Sequence, residues 1–199
     1  MNSLVKHYEE CYLKHGDCAK GVDWPDKESA EARYRVMYEI IKYDPRQPQH
    51  IPGYLDYGCG LGHFWTWLSE QKVLCGYVGY DLSKLFIEEC KKKYANKFWY
   101  TKNPPKMDYV IMNGVFTERD VSEKTAWYHM EKEVYKAWHL CNHGLAFNTM
   151  NELTDKNRRD LFRVNLNRVT SIVTNMSDCY IVRNDYLKYE RTIYVYKKP

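Results

Sequence analysis

The chain has 199 residues, enough for one domain with a sizeable core but few for two. Its net charge of +4 is not concentrated in a long basic run, which argues against a dedicated nucleic-acid-binding surface. Seven cysteines without a CxxC pair argue against a disulfide framework and a zinc site, and no apolar stretch is long enough to cross a membrane. We therefore expect one domain over residues 1–199, without a metal or a membrane partner, in a reducing, cytoplasmic setting.

The N-terminal segment, residues 1–45, is predicted to form a helical cap. Residues 28–42 carry apolar side chains at helical spacing. Residues 1–26 include "GDCAKGVDWP", in which two glycines and a proline favour a segment that folds over a ligand. We expect this segment to act as a lid with Trp24 as its apolar cover; a strap packed permanently on the sheet explains the same composition.

Strand and helix patterns alternate after the cap, which is typical of a parallel sheet covered on both faces. Helices are predicted from the caps Ser83 and Ser122 and over residues 158–174. The predicted strands are "YLDYG" (54–58), "GYVGYD" (76–81), "KFWY" (97–100), "DYVIMN" (108–113), "GLAFNTM" (144–150), "CYIV" (179–182) and "TIYVYK" (192–197). We expect a doubly wound, Rossmann-like α/β core over residues 50–199, with seven strands that are mostly parallel and an antiparallel hairpin at the C-terminus.

The stretch "LDYGCGLGHF" (55–64) follows the first strand and reads G-x-G-x-G. His63 stands where a dinucleotide-binding fingerprint has its third glycine, so a dehydrogenase is the weaker alternative. Asp56 would repel a pyrophosphate but would tolerate a cationic ligand. Asp81, 19 residues after Gly62, can accept both hydroxyls of a ribose. A nucleoside with a positive charge and an amino-acid tail, such as S-adenosylmethionine (SAM), suits both acids.

Three of these stretches resemble motifs of the class I SAM-dependent methyltransferases: "LDYGCGLG", "YVGYDLS" and "DYVIMNGVF". Three more, "HGDCAKGVDW", "AFNTM" and "RNDYLKYERTIYVYK", are similar to those of small single-domain bacterial and viral members with an HG…GVDW-type N-terminus. The resemblance implies a Rossmann-like fold and SAM as the cofactor. It does not name the methyl acceptor.

The resemblance also assigns roles along the cofactor. The backbone of the glycine turn would lie against the methionine part, Asp81 would hold the ribose, and the end of the fourth strand would lie next to the methyl group. Apart from the resemblance, the guanidinium of Arg33 in the N-terminal helix can pair the cofactor carboxylate bidentately, or else form a surface ion pair with Glu28 or Glu31. The predicted cofactor-binding residues are Trp24, Arg33, Asp56, Gly58, Cys59, Gly60, Asp81, Leu82, Asn113 and Gly114.

The chain shows neither a metal motif nor an activated cysteine, so we expect transfer to an oxygen or nitrogen of a small polar acceptor, for example a sugar. His129 is the candidate proton acceptor, because an unperturbed imidazole titrates near neutral pH. A nucleic-acid methyltransferase and a non-catalytic SAM-binding partner subunit remain alternatives, and the chain is expected to be a monomer or homodimer. The predicted acceptor-binding residues are His15, Trp127, Asn148, Tyr189 and Glu190.

Overall fold

The computed structural model of the chain describes residues 2–154, 157–158 and 160–198. The first residue of the predicted lid, residue 159 of the predicted helix and the last residue of the predicted core lie outside the described residues. Seven strands form one sheet: β1 (Gly53–Tyr57), β2 (Gly76–Tyr80), β3 (Phe98–Tyr100), β4 (Met107–Met112), β5 (Cys141–Met150), β6 (Tyr180–Arg183) and β7 (Glu190–Tyr196).

The strand order is β3-β2-β1-β4-β5-β7-β6. The first five strands pair in parallel, and β7 runs antiparallel to both β5 and β6. This confirms the predicted mixed sheet with its antiparallel C-terminal hairpin. The chain winds outward from β1 to β3 and then returns to β4, so the order reverses between β1 and β4. A cleft is expected there, beyond the carboxyl ends of the strands.

Within the described ranges, two α-helices precede the sheet and four more flank it. They are α1 (Asn2–His15), α2 (Lys27–Tyr38), α3 (His63–Glu70), α4 (Lys84–Lys93), α5 (Glu123–Leu140) and α6 (Leu166–Thr174). Short 3-10 helices cover Ala19–Val22 and Glu39–Tyr43, so the predicted helix over 28–42 ends in a tighter turn. Both predicted caps are confirmed, because the Ser83 hydroxyl accepts from the Phe86 N–H and that of Ser122 from the Thr125 N–H. None of the described helices is long and apolar enough to span a membrane.

The sheet is buried on both faces. Along β4, Tyr109 and Ile111 pack into the core on one face, while Val110 and Met112 pack into the core on the other. All four side chains are fully buried, as expected for a central parallel strand covered by helices on both sides. The sheet therefore lies at the centre of the core, and its carboxyl edge can hold a site.

The predicted helix over residues 158–174 is wrong in its first half, because α6 starts only at Leu166. Leu161 and Arg163 instead make isolated bridges to Glu118 and Met150. The backbone here pairs with a neighbouring loop and a strand end rather than with itself, although its apolar spacing resembles that of a helix. This pairing fixes the loop between β4 and α5, which contributes to the cavity described below.

Candidate functional site

A cavity of about 260 Å³ lies at the carboxyl ends of the strands, at the reversal between β1 and β4. Its size is close to the lower end of ligand pockets, which span roughly 300–1,000 Å³. Leu4, Val5 and Tyr8 of α1 line it, so the N-terminal helix forms part of its wall. The cavity brings together most of the predicted cofactor-binding residues: Trp24, Asp56, Gly58, Cys59, Gly60, Asp81, Leu82, Asn113 and Gly114.

The turn after β1 requires glycine backbone. Gly58 and Gly62 have φ values of 90° and 76°, in the region that L side chains rarely adopt. A Cβ on Gly58 would also lie 2.7 Å from a methyl carbon of Val115. A Cβ on Gly62 would lie 2.9 Å from ring atoms of both Trp99 and Tyr94. The glycines thus allow the backbone to pass close to the cavity and against its own aromatic neighbours.

Asp81 follows β2 and is tied to this turn. One carboxylate oxygen accepts from the Gly60 N–H at 2.9 Å, and the other accepts from the Ser83 N–H at 2.8 Å. Burial raises the pKa of Asp81, and these backbone hydrogen bonds offset part of the effect. Each oxygen retains a further lone pair. The carboxylate can therefore accept two neighbouring hydroxyls of a ligand, with the exposed side chain of Leu82 beside it.

Asp56 is a second carboxyl group in the cavity wall, only 2% exposed. The Tyr77 hydroxyl donates to it at 2.6 Å. Burial raises the pKa of Asp56 to about 7, the Tyr77 hydrogen bond opposes this shift, and the charge of Asp81 adds to it. A cationic ligand would favour the ionised form and reverse the shift.

The end of β4 leaves an acceptor without a partner. The side-chain oxygen of Asn113, a cavity residue, is buried and has no hydrogen-bond partner among the described residues. The adjacent Gly114 has a φ of 77°, and a Cβ there would lie 2.7 Å from the ring of Trp24. Its N–H donates to the Asn148 side-chain oxygen at 2.7 Å. Asn113 thus offers an acceptor that a ligand N–H can satisfy.

A buried network lies behind this strand end. Arg33 Nε donates to Glu190 at 2.6 Å, and the Asn148 amide donates to the other Glu190 oxygen at 3.0 Å. The Arg33 guanidinium also stacks on the Trp24 ring, 4.2 Å from its centroid. Arg33 is therefore buried in an ion pair with β7 rather than paired with the acids of its own helix. Arg33, Asn148 and Glu190 do not line the cavity; they support Gly114 and Trp24, which do.

The other predicted acceptor residues lie apart from the cavity. Trp127 is 1% exposed and packs edge-to-face on Phe162, because it lies on the core-facing side of α5. His15 is exposed at the end of α1, and Tyr189 is exposed just before β7. His129 does line the cavity, with an exposed side chain on α5, and its role as proton acceptor stays a prediction.

The structure adds cavity residues that sequence reasoning missed. Glu118, in the loop after β4, and Asp23 both line the cavity. The His7 Nε2 atom of α1 lies 3.4 Å from Glu118 Oε2 and 3.0 Å from Asp23 Oδ2. Burial raises the pKa of Glu118 to about 7, and a hydrogen bond to Asp23 adds to the shift. The helical spacing of Leu4 and Tyr8 was a usable signal for the α1 part of the wall. No sequence signal indicated Glu118, because its position depends on the backbone bridge to residue 161.

No protein-family model matches the chain, and no curated protein matches it. Solved structures do. The chain is similar to magnesium protoporphyrin IX methyltransferase from Synechocystis PCC 6803 with bound S-adenosylhomocysteine (SAH), at 13% identity over 100% of both chains with a TM-score of 0.67. It is also similar to a SAM-dependent methyltransferase from Leishmania major, at 16% identity over 97% of this chain and 82% of the other, with a TM-score of 0.63. At this identity the likenesses show a shared fold.

A third solved structure is the plantazolicin methyltransferase BamL in complex with a triazolic desmethylPZN analog and SAH. It is 12% identical over 98% of this chain and 90% of the other, with a TM-score of 0.62. The chain therefore has the Rossmann-like fold found in structures of SAM-dependent methyltransferases. These methyltransferases are named for different substrates, so the fold does not indicate one acceptor.

Proposed function

We propose that this chain is a SAM-dependent methyltransferase. The observation that carries the proposal is one cavity, at the reversal of strand order, whose wall holds three acceptor groups beside a glycine turn: Asp81, Asp56 and the unpartnered oxygen of Asn113. SAM offers a matching set of groups: a ribose diol, a cationic sulfonium and an ammonium group. The shared fold adds support.

Each chemical group of SAM has a suitable partner among the described residues. Asp81 would accept the ribose hydroxyls, and Leu82 would lie against the adenine. Asn113 would accept from the ammonium group, which would satisfy its buried oxygen. Asp56 would face positive charge, which favours its ionised form. Bound SAM supplies an electrophilic methyl group, so the protein's task is to align the acceptor and exclude water.

The proposed acceptor is a small polar molecule with a nucleophilic oxygen or nitrogen, for example a sugar. Helix α1 forms part of the cavity wall, and the wall beyond β4 carries two acidic side chains, Glu118 and Asp120, with a single basic one, Arg119, between them. A polyanion such as a nucleic acid would instead need clustered basic side chains for its phosphates. His129, on the cavity side of α5, is the proposed proton acceptor.

The first test is calorimetric titration of the purified chain with SAM and SAH. We expect both to bind, and we expect Asp81→Ala to weaken SAH binding by about 100-fold, because two charge-assisted hydrogen bonds at about 1.5 kcal/mol each are lost. Asp185→Ala removes an exposed carboxylate near β6 and serves as the matched control. A folded protein that binds neither compound would refute the proposal, and tight binding of a nicotinamide dinucleotide would favour a dehydrogenase.

The second test follows labelled methyl groups from SAM into extract fractions of sugars, small metabolites, proteins and nucleic acids. We expect label in a small polar product and a lower transfer rate in His129→Ala. Label in nucleic acid would show that the methyl acceptor is a nucleic acid instead. Binding of SAM without any labelled product would indicate a non-catalytic partner subunit.

A further inference from the structure

Three potential metal ligands converge where α1 meets the cavity wall. His7 and Cys11 are four residues apart on α1, so their side chains lie on the same face of the helix. Asp23 caps the end of the 3-10 helix Ala19–Val22. A nitrogen of His7, the sulfur of Cys11 and a carboxylate oxygen of Asp23 all lie within 4.8 Å of one another. No CxxC pair marks this group in the sequence, because the fold assembles it.

The spacing of these atoms is close to that of a tetrahedral zinc site. Zn–N, Zn–O and Zn–S bond lengths place neighbouring ligand atoms about 3.3 to 3.6 Å apart. His7 Nε2 lies 3.8 Å from Cys11 Sγ and 3.0 Å from Asp23 Oδ2. Glu118 Oε2 lies 3.4 Å from the same nitrogen. His7, Cys11 and Asp23 thus lie close enough to share one ion, whereas Glu118 is near His7 but outside the group of three and would have to move its side chain to complete a four-ligand site.

The chemistry of the donors selects the ion. Magnesium and calcium prefer all-oxygen sites, whereas a thiolate and an imidazole together favour zinc or a similar thiophilic divalent cation. The side chains of His7 and Asp23 are 42% and 38% exposed, so an ion can enter from solvent. Glu118, 13% exposed, closes the inner side next to the cavity.

We propose that His7, Cys11 and Asp23 bind a zinc-type cation, with Glu118 as the fourth ligand. Binding would release the Cys11 thiol proton to solvent and form a sulfur–metal bond. The ion would join three elements: α1, the 3-10 helix and the loop after β4. It would thereby fasten the N-terminal segment over the cavity, and its binding does not depend on methyl transfer.

Cobalt(II) titration of the full-length chain tests the proposal, since a thiolate ligand gives a charge-transfer band in the near ultraviolet. A second potential group, His50, Asp108 and His143, lies at the other end of the sheet and contains no cysteine, so it cannot produce this band. We expect the band in the wild-type chain and its loss in Cys11→Ser. Cys18→Ser, which changes an exposed cysteine of the same segment, is the matched control and should retain it.

We further expect Asp23→Asn to weaken zinc binding by at least about tenfold, the lower end of the effect seen for residues that only contact ligands. Alkylation mapped by mass spectrometry provides a readout on the unaltered chain. Zinc should protect Cys11 from iodoacetamide and leave Cys18 reactive. A wild-type chain that shows neither the cobalt band nor protection of Cys11, or a band that persists in Cys11→Ser, would overturn the proposal, whether or not SAM binds.

Discussion

Asp44 and Asp56 are both only 2% exposed to solvent, but they lie at opposite ends of the sheet, Asp56 is the more deeply enclosed, and their pKa shifts are opposite. Asp44 lies near the amino ends of the strands, where Arg46 donates three hydrogen bonds and Tyr109 a fourth. Burial alone would raise the pKa of Asp44, but these donors outweigh it and hold the pKa below its ordinary value. The carboxylate is fully satisfied within the protein.

Asp56, near the carboxyl end of β1, has a single described donor, the Tyr77 hydroxyl. Burial therefore prevails, and its pKa rises to about 7. A carboxyl group hidden from solvent can thus serve either of two purposes. Where the fold supplies the partners, a buried acid stabilises the structure; where it does not, the acid is left for a ligand to satisfy, which is the pattern of a functional site.

The largest expected effect is the pH dependence of stability at Asp56. Its pKa is about 3.9 in the unfolded chain and higher in the folded chain, so the folded state loses stability as the pH rises through the range between these values. Asp56→Asn removes this loss. The unfolding free energy of the variant, relative to that of the wild type, should therefore rise by up to about 4 kcal/mol between pH 4 and pH 8, at about 1.4 kcal/mol per pKa unit.

Urea unfolding of both proteins across this pH range checks the prediction. The difference between the two isolates Asp56 from the other titrating groups, provided that the variant folds with the same denaturant dependence. A difference that does not change with pH would show that Asp56 stays ionised in the folded chain, and the contrast with Asp44 would disappear.

The second largest effect is expected from removing the Asp44 carboxylate, whose hydrogen bonds are all made within the protein. Asp44→Ala leaves Arg46 without its partner and Tyr109 without its acceptor, so we expect a loss of about 3 kcal/mol in unfolding free energy at neutral pH. Because the folded-state pKa of Asp44 is lowered, its contribution is present above about pH 4 and is lost as the pH falls. The deficit of the variant should therefore shrink in acid, which is the opposite trend to Asp56.

The third prediction distinguishes the amino end of the sheet, at Asp44, from the carboxyl end, at Asp81, by how much stability a bound ligand adds. At a concentration of 100 times its dissociation constant, SAH should add about 2.7 kcal/mol to the stability of the wild-type chain and of Asp44→Ala. In Asp81→Ala, a 100-fold weaker affinity reduces this increment to about 0.4 kcal/mol at the same concentration. Each increment is measured against the same variant without ligand. An equal increment in all three proteins would place the ligand elsewhere.

Local sequence predicted the positions of the glycine turn and of Asp81 at neighbouring strand ends, because a strand, its turn and the next strand end are close in the chain and follow the parallel-sheet pattern. It could not predict the partners of Arg33, since Glu190 comes from the last strand. The same limit applies to the His7–Glu118 contact, which joins α1 to the distant loop after β4. The error over residues 158–174 has a related cause: apolar spacing does not reveal whether a backbone pairs with itself or with a distant loop.

The smallest expected effect concerns the contact between α1 and the site end of the sheet. The Ser83 hydroxyl accepts from the Phe86 N–H at 3.1 Å and donates to Glu9 of α1 at 2.6 Å. Ser122 also caps a helix, α5, but it is exposed. Ser122→Ala should lose about 1 kcal/mol of unfolding free energy, the usual cost of an N-cap, and Ser83→Ala should lose more because it also removes the hydrogen bond to Glu9.

Only Ser83→Ala should also loosen α1 beside the cavity, because it alone removes a hydrogen bond to α1. Hydrogen exchange is the measurement that separates the two variants: the amides of α1 should exchange faster in Ser83→Ala than in wild type, and at the wild-type rate in Ser122→Ala. Faster exchange in both variants would mean that α1 responds to overall stability. No change in either would mean that apolar contacts such as those of Leu4 and Tyr8 hold α1 in place without the Ser83 contact, and the N-terminal segment would then be a permanent strap.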